Sequence, residues 1–155
     1  MRSEPLRLSP RLRAWTYSAF GVLFASGAAW WLLQQTKPAE SELGLRAHVA
    51  STWLLRLHGA AAMLVLVILG LLLSVHVARG WQARKNRFSG VSMLALCALL
   101  IASGWLLYYA SGETVRAGAS VVHIGAGFIL PILLVLHIVI GRSTRRPAAT
   151  TPPST

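Results

Sequence analysis

The chain reads as an all-α integral membrane protein, a four-helix bundle with both termini in the cytoplasm, and three observations predict this. First, 55% of its 155 residues are hydrophobic and only 12% are charged, about half the charged share of a soluble domain. Mean hydropathy is +0.59. Second, the apolar residues fall in long blocks rather than in short amphipathic stripes, as bilayer-spanning helices of about 20 residues require. Third, the basic residues that make the net charge +11 cluster at the ends of those blocks, where orientation signals lie.

The first apolar run extends from Ala14 to Leu33 and follows a basic N-terminal segment, residues 1–13, with Arg2, Arg7, Arg11 and Arg13 against Glu4. Arginines, an apolar stretch and the sequence ASGAA also match a cleavable secretory signal. The run is about 20 residues long, beyond the usual signal core, which favours a retained helix. Thr36 to Ala47 is the polar connection to a second run, Thr52 to Ala78. A third run covers Phe88 to Ala110 and a fourth Ala119 to Gly141, giving a transmembrane bundle over residues 14–141. Residues 142–155, rich in Pro, Ser, Thr and Ala, read as a disordered cytoplasmic tail.

The connections differ in charge. Arg79, Arg84, Lys85 and Arg87 lie between runs two and three, and Arg142, Arg145 and Arg146 follow run four. The other two connections hold Lys37 and Arg46 with Glu40 and Glu42, then Arg116 with Glu113. The positive-inside rule therefore puts both termini in the cytoplasm. Trp30, Trp31, Trp53, Trp105, Tyr108 and Tyr109 gather at the outer ends of the runs, and Trp15, Tyr17 and Trp81 at the inner ends, as interfacial aromatics do.

This organisation excludes several functions. The cations lack a folded domain on which to build a nucleic-acid surface. No carboxylate pair, activated nucleophile or zinc-type cluster suggests hydrolysis, and no broken span with coupled acidic groups suggests transport. Cys97, the single cysteine, lies mid-span and reads as a packing residue. No C-x-x-C-H is present for covalent haem attachment.

Ionisable side chains inside membrane spans mark function, and here four histidines form two pairs. His58 and His76 bracket run two; His123 and His137 bracket run four. Both runs cross in the same direction, so His58 matches His123 in depth near the outer face and His76 matches His137 near the inner face. The 18-residue separation in run two is five ideal turns, which returns both rings to one face about 27 Å apart. The 14-residue separation in run four is about 21 Å, with a rotation of roughly 40°. Imidazole is a common axial ligand of haem iron, so two non-covalent b haems are expected, one between each matched pair. The mismatch of about 6 Å falls to helix tilt or to different ligation at one site. Pro131 lies between the two run-four histidines and is expected to kink that helix.

Other residues surround this scheme. Gly90 and Gly104 on run three repeat the spacing of His123 and His137, and would admit a flat porphyrin or serve ordinary close helix packing. Arg79, three residues after His76, and Arg116, seven before His123, are candidate partners for haem propionates; both also read as topology signals. Arg56 is close to His58 in depth but on another side. His48 reads as an exposed loop residue, with a quinone site or substitute ligation as the alternatives.

The segments RLHGAAAML, SVHVARGWQARKNRFSG, SGWLLYYASGE and SVVHIGAGFILPILLVLHIVIGR resemble small bacterial four-helix cytochrome b proteins, the cytochrome b561-like and respiratory cytochrome b membrane anchors. The resemblance spans His58 to Gly141; the first run contributes only generic hydrophobicity. It implies bis-histidine haem ligation by His58, His76, His123 and His137 and electron transfer across the bacterial inner membrane. The spacing of 18 departs from the 14 of larger respiratory cytochromes b. The expected function is a dihaem relay within a larger respiratory complex, exchanging electrons between quinone in the lipid and a redox protein. Quinone bound by the chain itself is a variant of this reading; a haem-free membrane scaffold or assembly subunit is the alternative from another class.

Overall fold

The computed structural model describes residues 9–36, 42–78, 81 and 87–143. All its regular structure among them is helical: α1 (Pro10–Gln35), α2 (Glu42–Leu72) continued by a π-helical turn (Leu73–Val77), α3 (Arg87–Tyr109) and α4 (Glu113–Ser143). These four helices are long and apolar enough to cross a membrane. The all-α class and the four membrane-length helices are therefore as the sequence predicts.

Three of the four helices outrun their apolar blocks, because polar residues extend them. Ser9 caps α1, its Oγ accepting from the Leu12 amide at 3.2 Å, and Pro10 follows at the first helical position. Proline suits that position because its missing N–H has no intrahelical partner there anyway. Residues 10–13, expected in the basic N-terminal segment, are thus helical. The second helix begins at Glu42 rather than Thr52, so much of the expected polar connection is helix. Leu43, Leu45, Arg46 and Ala47 all favour it. α4 starts at Glu113 rather than Ala119, with that carboxylate in its first turn, where the helix dipole favours negative charge. It stays one helix through Pro131. The expected tail beyond Ser143 lies outside the described residues.

The chain divides into two compact units, Met1–Arg79 and Gly80–Thr155. Each is a helical hairpin, α1 against α2 and α3 against α4. The first has a seam of Thr16, Ala19, Phe20 and Ser26 on α1 facing Ser51, Ala61, Val65 and Ile68 on α2. The second buries Ser89, Cys97 and Ser103 on α3 and Ala119, Ala126 and Leu130 on α4. Small side chains dominate both seams. Within lipid, apolar burial gives helices no net drive to associate, so close backbone approach and interhelical hydrogen bonds hold them.

The seams follow a seven-residue rhythm. On α2 it passes through residues 51, 58 and 65, and on α4 through 123, 130 and 137. His58, His123 and His137 therefore fall on the seams. Outside them the helices present apolar side chains: Met63, Val67, Val121 and Ile132 are all exposed. Trp15, Trp53, Trp105, Tyr108 and Tyr109 are exposed as well. Arg56 places its guanidinium 5.1 Å from the Trp53 ring centroid, so this cation leans along its own helix surface.

Candidate functional site

His58 is held by two groups of α1. Its Nδ1 is 2.9 Å from the Leu23 carbonyl oxygen on α1 and 3.3 Å from Ser26 Oγ. A carbonyl oxygen only accepts, so Nδ1 carries the proton and Nε2 is the basic nitrogen of the ring. Gly27 makes this approach possible. A Cβ there would stand 2.8 Å from His58 Cε1 and 3.0 Å from Nδ1, well inside contact distance. The ring thus lays its Nδ1–Cε1 edge in a notch on α1 that only glycine leaves open.

In the second hairpin the arrangement recurs twice. His123 Nδ1 is 3.0 Å from Ser103 Oγ, and a Cβ on Gly104 would stand 3.3 Å from His123 Cε1. His137 Nδ1 is 3.2 Å from Ser89 Oγ, beside Gly90, although a Cβ on Gly90 would meet nothing within 4 Å. Both histidines are half-buried. The step from His123 to His137 on α4 equals the step from Ser89 to Ser103 on α3. Equal spacing on antiparallel helices keeps both contacts in register.

His76 differs. It is exposed and sits in the π-helical turn, whose side-chain progression is not that of an α-helix. The five-turn return from His58 to His76 on an ideal screw therefore does not hold, because the last turn is wound with i→i+5 geometry. Such turns recur at functional positions.

The remaining predicted residues are placed as follows. Gly104 receives the edge of His123, and Gly90 neighbours the Ser89–His137 contact without touching the ring. Arg116 is exposed in the first turns of α4, its amide donating to the Gly112 carbonyl at 3.0 Å. It shares that helix with His123, two turns on. Arg79 lies outside the described residues. His48 is exposed on α2, one turn before Thr52, whose hydroxyl donates to its carbonyl at 3.1 Å. It is helical rather than in a loop.

Sequence reasoning missed Ser26, Gly27, Ser89 and Ser103. Their signal was present. Ser-Gly occurs at 26–27, 89–90, 103–104 and 111–112, and the three pairs within helices all lie opposite a histidine. Within helices, the triplet Ala-Ser-Gly stands at 25–27 in the first hairpin and at 102–104 in the second, each just ahead of a cluster of aromatics.

The hydroxyls of Ser26, Ser89 and Ser103 line the same seams as the three imidazoles, and a hydrogen bond between membrane helices averages about 0.6 kcal/mol. An imidazole with its proton held on Nδ1 by a carbonyl or hydroxyl oxygen is also the form that presents Nε2 to a metal, the outer hydrogen bond fixing tautomer and ring direction. Among the described residues no three His, Cys, Asp or Glu side chains gather to hold an ion by themselves. Single imidazoles suit an axial position, where a macrocycle provides the remaining ligands. The donor set therefore fits b-type haem. No protein-family model matches the chain, and no curated protein or solved structure matches it either.

Proposed function

We propose that the chain is a dihaem b-type membrane cytochrome that relays electrons across a bilayer, with His58, His76, His123 and His137 as axial ligands. The observation that carries this reading is the held state of His58. It stands in the seam of α1 and α2 with its Nδ1 proton given to the Leu23 carbonyl, which makes Nε2 the nitrogen that would bond a metal. Bound haem would supply the one-electron chemistry. The chain's own work is to orient imidazoles, exclude water from around them with apolar helices, and fix their depth. Pairing of His58 with His123 and of His76 with His137 rests on depth and helix direction in the sequence.

The same proposal includes a bacterial inner-membrane location with cytoplasmic termini. It also includes exchange with the quinone pool and a redox protein within a larger complex. Arg116, exposed on α4 two turns before His123, remains a candidate propionate partner, and Arg79 is proposed on sequence position alone. Gly90 and Gly104 are proposed to flank the haem sites.

The test is a pyridine haemochrome measurement on the full chain purified in detergent from cells supplied with haem. Two b haems per chain are expected, and His137→Ala is expected to lose one. Folded protein without haem would overturn the reading and leave the scaffold alternative, in which the Ser–His contacts only tie each hairpin together.

A further inference from the structure

We infer that Ser89 and Ser103 are positioning residues that hold His137 and His123 with the proton on Nδ1, the position that the Leu23 carbonyl imposes at His58. The inference deepens the haem reading, which gives this hold its use, but the proton position is decided separately.

The chemistry follows from where each hydroxyl proton goes. Ser103 Oγ donates to the Leu99 carbonyl at 2.7 Å, and Ser26 Oγ donates to the Val22 carbonyl at 2.7 Å. Serine back-bonding of this kind is common in helices. A hydroxyl has one proton, so an Oγ committed to its own helix offers its lone pairs to whatever approaches. The approaching group at Ser103 is His123 Nδ1 at 3.0 Å, which must then donate. Ser89 stands to His137 as Ser103 stands to His123, with the same step along both helices. At His58 the Leu23 carbonyl imposes the same proton position independently.

This redundancy separates the three sites. At His58 two acceptors hold Nδ1, so loss of the Ser26 hydroxyl leaves the carbonyl in charge. At His123 the acceptor placed against Nδ1 is the Ser103 hydroxyl oxygen, at 3.0 Å. Outer-shell acceptors raise the basicity of a metal-bound imidazole, so removing one makes the ring a weaker donor and raises the potential of the metal it holds.

The experiment uses the full chain labelled with 15N-histidine in detergent micelles, first before haem is added. Nitrogen shifts should show the proton on Nδ1 at His58, His123 and His137. Ser103→Ala and Ser89→Ala should each move their histidine toward the Nε2-protonated form, Ser103→Thr should retain the original, and Ser26→Ala should leave His58 unchanged. Nε2 protonation of His123 in the unaltered chain, or no response to Ser103→Ala, would overturn the inference. The same variants are then titrated potentiometrically with haem bound. An upward shift in midpoint potential in Ser103→Ala, reversed in Ser103→Thr, supports the positioning role. An unmoved potential refutes its influence on the metal. If the unaltered chain takes up no haem, the functional reading fails, and the nitrogen shifts still decide where the protons are.

Discussion

Replacing Gly27 by alanine tests the packing on which the first histidine depends. The new methyl would stand 2.8 Å from His58 Cε1, about 0.6 Å short of ordinary contact, with a side-chain ring rather than a flexible tip in the way. The ring has to retreat by that distance. Its bond to the Leu23 carbonyl, 2.9 Å at present, then stretches to the edge of hydrogen bonding. Three terms compete. Helix propensity favours alanine over glycine by about 1 kcal/mol. Overpacking costs about 1–3 kcal/mol, and a weakened interhelical hydrogen bond in a membrane adds about 0.6 kcal/mol. The balance is a loss of about 0.5–2.5 kcal/mol for Gly27→Ala. The same substitution at Gly90 meets nothing within 4 Å and should be neutral or slightly stabilising, while Gly104, at 3.3 Å, should fall between. Unfolding of the three variants in mixed detergent and dodecyl sulfate micelles, followed by tryptophan fluorescence, gives the ranking. A Gly27→Ala protein as stable as the parent, or a Gly90→Ala protein as damaged as Gly27→Ala, would refute the notch.

Two further predictions follow from the helices. Deleting Ser74 removes one residue from the π-helical turn and should rotate the segment beyond it by about 100°. On the dihaem reading, haem per chain then falls from two to one, and retention of both would show that the turn does not aim His76. Cys97 is only 7% exposed in the seam of α3. Its alkylation by a polar maleimide should be roughly tenfold slower in mild micelles than after unfolding in dodecyl sulfate, and equal rates would place the thiol on an open face.

Much of the fold was legible in the sequence because membrane crossing is a property of one helix at a time. The cost of placing polar groups in hydrocarbon adds along a run, so hydropathy and length alone mark α1 to α4. The extensions at Glu42 and Glu113 were missed for the same reason. Hydropathy reports where lipid is tolerated and is silent on where a polar helix goes on. The four histidines were also legible, since an imidazole among leucines and valines stands out without any partner being known.

What each imidazole touches was a different matter. His58 meets residues 23, 26 and 27, and that depends on how far α1 and α2 are turned about their axes and slid along each other. Gly27 lies in the helix that had offered only generic hydrophobicity, and its value comes from a ring carried by the neighbouring helix. The π-helical turn at His76 likewise escapes a count by 3.6, because winding is set by backbone hydrogen bonds rather than by residue spacing. By itself the sequence determined the class and the four membrane-length helices, and it singled out the four histidines as candidates. Only the tertiary structure decided which histidines sit in a seam and which oxygens stand beside their Nδ1 atoms, since these depend on distances between helices and not on order along one.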